Sequence, residues 1–271
     1  MIQPILCAPL LRKVDEQLVE LLSSLDAPQW DLQTVAPAWK VRDVAAHLLD
    51  TSLRKLSIVR GGHSIAHPPD DLVAFINRLN GEGVAAYRGL SPATLIARIQ
   101  QASAEFAQFH EALDPFAPAA FAVSWAGEQA SLNWFDTARE LTERWHHQQQ
   151  IRLATRRPGI MTRELYHPVL DCFLRGLPHT FRDVDSPAGT RVLIEIEGDA
   201  GGQWVLVRTG PHWELVDPAP IELTSLVSIP QELAWRVFTR GIDPAAARKR
   251  IRIEGDRALG ENVLHLTAVV A

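Results

Sequence analysis

The pattern of apolar residues changes character near residue 185, and this change limits the fold more than any other feature. Over the first two thirds of the chain, apolar residues recur at helical spacing. After the turn-rich stretch 183–189, residues 191–197 partly alternate and are rich in β-branched side chains, which is typical of a strand. We therefore predict an all-α N-terminal domain over residues 1–184 and a smaller α+β domain with an antiparallel sheet over residues 190–271.

The periodicity also predicts individual elements within each part. Helices are predicted at residues 8–25, 40–60, 70–88, 92–113, 131–155 and 162–182, the last of them kinked or restarted at Pro168. In the C-terminal part, strands are predicted at residues 191–197, 204–208, 213–216, 220–227 and 250–255, with helices at 229–240 and 256–270. We expect the N-terminal helices to form an antiparallel bundle, in which inward side chains of facing helices can build a metal site.

Composition and charge exclude several classes of protein. The chain has 271 residues, and a net charge of −5 leaves no basic stripe to neutralise the phosphates of a nucleic acid. No apolar run reaches the roughly 18 residues of a membrane span, and the N-terminus lacks the pattern of a signal peptide. The two cysteines, Cys7 and Cys172, fit a reducing compartment. We expect a cytoplasmic protein without nucleic-acid or membrane partners, and the sequence leaves its oligomeric state open.

Three residues form the candidate metal site. Glu143 and His147 lie four positions apart on a predicted helix, so their side chains stack one turn apart on one face. His47 lies on another predicted helix, away from its apolar stripe. Three nitrogen and oxygen ligands without cysteine suit a catalytic zinc ion that keeps one coordination position open. His146 is an alternative to His147, but adjacent helical residues point about 100° apart, so both are not expected to bind one ion.

The competing interpretation is that these polar residues lie on solvated helix faces. A polar row opposite an apolar stripe is usually exposed to water. Asp43 and Asp50, near His47, are candidates to orient the imidazole rings. The remaining histidines are assigned no site. His63 and His67 are predicted in a loop, His110 is predicted to fray into solvent beside Asp114, and His167 is a weaker metal candidate with Glu164 and Asp171 because Pro168 interrupts its helix.

Three segments carry a resemblance to a known family. Residues 38–48 read AWKVRDVAAHL and contain W-x-V-R-D-x-x-x-H-L, residues 139–150 contain E-x-x-x-H, and residues 240–259 resemble the C-terminal domain of the same proteins. The chain thereby resembles the DinB-like, mycothiol-dependent maleylpyruvate isomerase family, in its two-domain form with a sterol-carrier-like C-terminal domain. Two positions depart from the family pattern: Lys40 stands where a small capping residue is common, and Gln150 stands where an aspartate often follows the second histidine.

The resemblance implies both a fold and a site. It implies a four-helix bundle in which His47, Glu143 and His147 hold a divalent metal ion, and zinc is the ion expected. The protein is then expected to be a metal-dependent enzyme that uses a low-molecular-weight thiol, mycothiol or an equivalent, on a small electrophilic substrate. The reaction is a cis–trans isomerisation of the maleylpyruvate type or a thiol S-transfer.

Arginines are the candidates to bind substrate carboxylates. Arg236 and Arg240 in the C-terminal part are predicted for this role, whereas Arg139 is expected to pair with Glu143 on the same helix. The alternative functions are a non-enzymatic protein that binds a metal ion or a small ligand, and a regulatory or structural helical protein without a site.

Overall fold

The N-terminal half of the chain is helical, as the periodicity predicts. The structure is a computed structural model that describes residues 2–61, 71–218 and 222–269. Its helices up to residue 180 are α1 (Ala8–Ser23), α2 (Val41–Val59), α3 (Leu72–Tyr87), α4 (Pro92–Glu111), α5 (Asn133–Thr155), α6 (Arg163–Leu174) and α7 (Leu177–Thr180). Among the described residues, no helix combines the length and apolarity needed to cross a membrane.

Four of these helices form a closed bundle. Helix α1 packs on α4 and α5, and α2 packs on the same two helices, so each helix has two neighbours in the ring. Leu18, Leu48, Ile99 and Ile151, one from each helix, are buried together in its core. Helix α3 covers the outer side of α2, and α6 packs against α5. The bundle therefore places α2 and α5, the helices that carry His47 and His147, side by side.

The C-terminal part contains a five-stranded sheet. Its strands are β1 (Arg191–Glu197), β2 (Gly202–Thr209), β3 (His212–Val216), β4 (Ser225–Pro230) and β5 (Arg252–Gly255), in the spatial order β3-β2-β1-β4-β5. The predicted fold class is confirmed, with one difference: β4 pairs with β1 in parallel, whereas the other neighbours are antiparallel. Since β3 and β4 run in the same direction, the chain between them must return along the sheet.

Several predicted boundaries in this part are wrong. The fourth strand begins at Ser225 rather than at residue 220, and the helices that follow it are α8 (Gln231–Phe238) and the unpredicted α9 (Pro244–Arg248). The predicted closing helix over residues 256–270 is only α10 (Arg257–Glu261), followed by a 3₁₀ turn. Glycine at position 260 lowers helix propensity, and it is required because a Cβ there would lie 2.6 Å from the Ser225 hydroxyl oxygen.

Aromatic contacts join the helices to the sheet domain. The rings of Trp145 on α5 and Tyr166 on α6 stack with centroids 4.2 Å apart. The Tyr166 hydroxyl donates to the Gln231 carbonyl at 2.8 Å and accepts from the Trp235 amide at 3.1 Å, at the start of α8. Helix α6 itself continues through Pro168 and ends at Leu174. The division into residues 1–184 and 190–271 stays our proposal for the domain boundaries.

Candidate metal centre

The structure brings His47, Glu143 and His147 together between α2 and α5. The Nε2 atoms of both histidines lie 3.1 Å from the same carboxylate oxygen, Oε1 of Glu143. One ligand atom from each of the three residues lies within 4.8 Å of the others. Both histidines are buried, and Glu143 retains 27% of its side-chain exposure. We call this group the three-residue site, and its role in binding metal stays a prediction.

Hydrogen bonding directs the lone pair of His147 into the three-residue site. Nδ1 of His147 lies 3.0 Å from Oε1 of Gln150, and an amide oxygen only accepts, so Nδ1 carries the proton. Nε2 of a neutral His147 then presents its lone pair to the Glu143 carboxylate. Two acceptors 3.1 Å apart require a cation between them. On a tetrahedral zinc ion with bonds of about 2.0–2.1 Å, ligand atoms lie roughly 3.3 Å apart, so the donor set fits a metal ion.

The environment sets the protonation states that a metal ion requires. Burial lowers the pKa of His47 to about 4, and the charges of His147 and Arg54 act in the same direction. Burial opposes ionisation of Glu143, but the charge of His147 and hydrogen bonds from His147 and His47 outweigh it and hold the Glu143 pKa well below its usual value. At neutral pH the three-residue site therefore contains a neutral His47 and an ionised carboxylate, which are the ligand forms of these residues.

Trp39 forms one wall of the three-residue site. Its ring centroid lies 4.6 Å from that of His47 and 5.7 Å from that of His147. The Trp39 carbonyl accepts hydrogen bonds from the Thr34 hydroxyl at 2.7 Å and from the Gln33 side-chain amide at 2.9 Å. Nδ1 of His47 is buried and has no hydrogen-bond partner among the described residues, so packing against Trp39 orients this ring.

Sequence analysis did not assign a role to Trp39 or Gln150. Both stand in the segments that carry the family resemblance, and Gln150 lies three positions after His147, on the next turn of the same helix. That spacing was the available signal for an orienting partner of His147. No comparable local signal exists for Trp39, because its contact with His147 joins residues far apart in the chain.

The acidic residues predicted to orient the imidazole rings have other partners. Asp43 accepts a hydrogen bond from the Lys40 amide at 2.9 Å and pairs with Arg88 at 3.1 Å, which stabilises the start of α2. Asp50 pairs with Arg54 at 3.0 Å. The prediction that these two carboxylates support the histidines is therefore wrong, and Gln150 has that role toward His147.

The other histidines lie outside the three-residue site. Nδ1 of His146 bonds to the Thr142 carbonyl at 3.0 Å, and Nδ1 of His167 bonds to the Gly201 carbonyl at 3.0 Å. His63 and His67 lie outside the described residues. Within those residues, His47, Glu143 and His147 make up the one group found of three or more residues that could hold a metal ion.

The prediction that His110 frays into solvent is wrong. His110 is buried on α4, and its Nδ1 lies 2.9 Å from the Thr137 hydroxyl on α5. Burial, assisted by the positive charge of Lys55, lowers the His110 pKa to about 3. The ring is therefore neutral at physiological pH and acts as a buried contact between the two helices.

The polar face of α5 is buried along most of its length. The Lys55 ammonium group from α2 lies 2.8 Å from both Asp136 and Glu140, and all three side chains are buried. Arg139 pairs with the same two carboxylates, at 2.6 Å and 2.5 Å, rather than with Glu143 as predicted. The interpretation of this face as solvated is therefore wrong, and two cations balance two carboxylates within it.

The two arginines predicted to bind substrate carboxylates have contacts within the C-terminal part. Nε of Arg236 donates to the Gly241 carbonyl at 3.0 Å, and Nε of Arg240 donates to the Thr267 hydroxyl at 3.3 Å. Arg240 is exposed and has a positive φ of 56°. Neither of these contacts involves the three-residue site, and a role in substrate binding stays a prediction for both residues.

A four-helix bundle with a buried His/Glu/His group between two helices, joined to a small sheet domain, defines the class of protein. The family model for the mycothiol maleylpyruvate isomerase N-terminal domain matches residues 11–152, just over half of the chain. The chain belongs to this family. The match begins in α1 and ends in α5, so it covers the bundle and all three residues of the site.

Two solved structures share the fold over almost the whole chain. One is the crystal structure of a mutant of the mycothiol-dependent maleylpyruvate isomerase in which alanine replaces a histidine, with a TM-score of 0.57 and 10% identity. The other is the crystal structure of the mycothiol-dependent maleylpyruvate isomerase, with a TM-score of 0.56 and 11% identity. Each alignment covers 93% of both chains. At this identity the likeness shows the fold, including the C-terminal domain. No curated protein matches the chain.

Proposed function

We propose that this protein is a zinc-dependent enzyme that uses a low-molecular-weight thiol, mycothiol or an equivalent, to isomerise a small electrophilic substrate of the maleylpyruvate type. Membership of the family supports the thiol and the reaction class. The observation that carries the proposal is the convergence of two histidine nitrogens on one glutamate oxygen, each at 3.1 Å, inside the bundle. A chain that used the family fold only as a scaffold would have no reason to bury these three groups together.

The residues of the site have separate tasks in this proposal. His47, Glu143 and His147 would hold the metal ion, which when bound supplies a Lewis acid that keeps a thiol ionised at neutral pH. Gln150 holds the His147 ring in the tautomer whose Nε2 can bind metal. Trp39 excludes water from one side of both rings. Glu143 is the most exposed of the three, so the free coordination position is expected on its side.

The proposal is tested by combining metal, thiol and substrate. Zinc-loaded protein is expected to convert maleylpyruvate to its trans isomer only when a thiol is added, and chelator is expected to abolish the reaction. The total thiol concentration is expected to stay constant, because an isomerase releases its nucleophile. Net consumption of thiol would instead indicate an S-transferase. Turnover that is independent of thiol, or none in zinc-loaded protein with mycothiol, would contradict the proposal.

Replacing Gln150 is expected to weaken metal binding without removing a ligand. Gln150→Ala leaves Nδ1 of His147 without its acceptor, and loss of such an orienting partner costs about 10–100-fold in metal affinity. Gln150→Glu keeps an acceptor of the same length and should retain the affinity. Competition with a chromogenic zinc chelator measures both values.

The neighbouring residue gives the control for this prediction. Gln149 donates to the Met161 sulfur and does not contact the histidines in any described hydrogen bond, so Gln149→Ala should bind zinc as the parent protein does. Equal zinc affinities for Gln150→Ala and Gln149→Ala would show that the Gln150 contact does not orient a ligand.

A further inference from the structure

The face of α2 that carries His47 continues toward a second charged residue, Arg54. The two residues are seven positions apart, which is two turns on the same face of the helix. Side chains on a helix tilt toward its N-terminus, so the Arg54 side chain leans toward His47. The electrostatic effect of Arg54 on His47 agrees with this placement.

Helix α3 holds Arg54 in place from the opposite side. Nη2 of Arg54 donates to Oδ1 of Asn80 at 2.9 Å and pairs with Asp50 at 3.0 Å. Asp50 fits beneath α3 only because residue 83 is glycine, where an added Cβ would lie 2.2 Å from the Asp50 carboxyl carbon. Asn80 and Gly83 are one turn apart, so a single face of α3 forms this contact. The guanidinium group is thus positioned by two helices.

Arg54 differs from the other cations of the α2–α5 interface in how its charge is balanced. Lys55 and Arg139 share two buried carboxylates, and Arg144 makes a two-atom contact with the buried Asp15. Arg54 pairs with one carboxylate through one nitrogen, and 24% of its side chain is exposed. The described contacts leave the Nε–Nη1 edge of the guanidinium group available, and that edge matches the two oxygens of a carboxylate.

We propose that Arg54 binds a carboxylate of the substrate beside the three-residue site, with Asp50 and Asn80 holding the guanidinium group in place. This inference rests on the proposed function and adds a specificity: the substrate is an anion that carries a carboxylate near its reacting double bond. Arg54 then takes the role that sequence analysis assigned to Arg236 and Arg240, whose described contacts lie within the C-terminal part.

The experiment measures binding of maleate to zinc-loaded protein by calorimetry. Maleate is a cis dicarboxylate and serves as the probe. Arg54→Gln is expected to weaken maleate binding by about tenfold to hundredfold, the range for loss of a hydrogen-bonded charge. Zinc content should be unchanged. Arg54→Lys keeps a positive charge beside Asp50 but loses the paired donors, so an intermediate loss of at least about threefold is expected.

Arg60→Gln is the matched control, because Arg60 lies at the end of the same helix and pairs with Glu105 on the surface. It should bind maleate as the parent protein does. Unchanged maleate affinity in Arg54→Gln would overturn the inference, as would a loss in Arg240→Gln that Arg54→Gln does not share. If Arg54→Gln is unstable, Arg54→Lys replaces it, and unchanged affinity there is equally contrary.

The measurement separates this inference from the proposed function. Weaker maleate binding in Arg54→Gln supports the carboxylate contact even if the parent protein shows no thiol-dependent isomerisation, in which case only the reaction is wrong. If the zinc-loaded parent protein isomerises maleylpyruvate but fails to bind maleate, the reaction stands and the contact proposed for Arg54 is overturned.

Discussion

Alanine in place of His147 is expected to abolish stoichiometric metal binding. Its Nε2 atom is one of the two nitrogens that converge on Glu143, and no other described side chain is placed to substitute for it. Loss of an orienting partner alone costs about 10–100-fold in metal affinity, so loss of a ligand should exceed about a hundredfold. His47→Ala should have the same effect. Elemental analysis of the purified variants measures the result directly.

The adjacent histidine is the matched control. His146 is equally buried, but its Nδ1 bonds to the Thr142 carbonyl of its own helix, so His146→Ala should retain the metal ion. A metal ion that binds the folded state raises the melting temperature, and chelator should lower it in the parent protein and in His146→Ala but not in His147→Ala. Stoichiometric metal in His147→Ala would contradict the assignment of the three-residue site.

The convergence of these residues follows from local patterns and from the family resemblance. Spacing placed Glu143 and His147 on one helix face, and the resemblance joined them to His47 on another helix. The bounds of α2 and α5 follow from the same periodicity and from Asp43, which accepts from the Lys40 amide at the start of α2. Residues that interact within a few turns, or that belong to a motif, are therefore predictable from the chain alone.

Burial of the polar helix faces was not predictable in the same way. A helical wheel shows that Asp136 and Glu143 share a face, but it does not show whether another helix covers that face. The burial depends on Lys55 of α2, which lies 81 positions from Asp136 and balances its charge. His110 was misassigned for the same reason, since its partner Thr137 lies on a different helix.

The errors in the C-terminal part also arise from distant contacts. The parallel pairing of β4 with β1 depends on a return of the chain along the sheet after β3, which no local pattern specifies. The closing helix ends early because the chain after it packs back on α8, where the Ala268 amide donates to the Phe238 carbonyl at 2.9 Å. Strand identity follows from composition, whereas strand partners follow from the whole fold.

Replacing Lys55 by methionine is expected to destabilise the protein strongly. The Lys55 ammonium group lies 2.8 Å from each of two buried carboxylates, those of Asp136 and Glu140. Methionine fills a similar volume but leaves two negative charges in the interior with Arg139 as their remaining described partner. Removing one partner from a buried charge network costs about 3–5 kcal/mol, and urea denaturation at pH 7 should show a loss of this size.

Lys13 provides the control for this substitution. It pairs with Glu164 at 2.6 Å on the surface, where half of the Lys13 side chain is exposed. An exposed pair contributes less than about 1 kcal/mol, so Lys13→Met should change the free energy of unfolding only slightly. Equal losses in the two variants would show that the buried network does not depend on the Lys55 charge.

The pH dependence of stability tests the same network independently. Burial opposes ionisation of Glu140, but the charges of Arg139 and Lys55 outweigh it and hold the Glu140 pKa well below its usual value of 4.5. A carboxyl group whose pKa is depressed by folding stabilises the protein above its unfolded pKa, and that stability is lost as the pH falls below it. The parent protein should therefore lose stability below about pH 4.5. In Lys55→Met the depression is smaller, so the difference in unfolding free energy between the two proteins should narrow between pH 7 and pH 4. A difference that stays constant or widens over this range would mean that Lys55 does not stabilise the ionised form of Glu140.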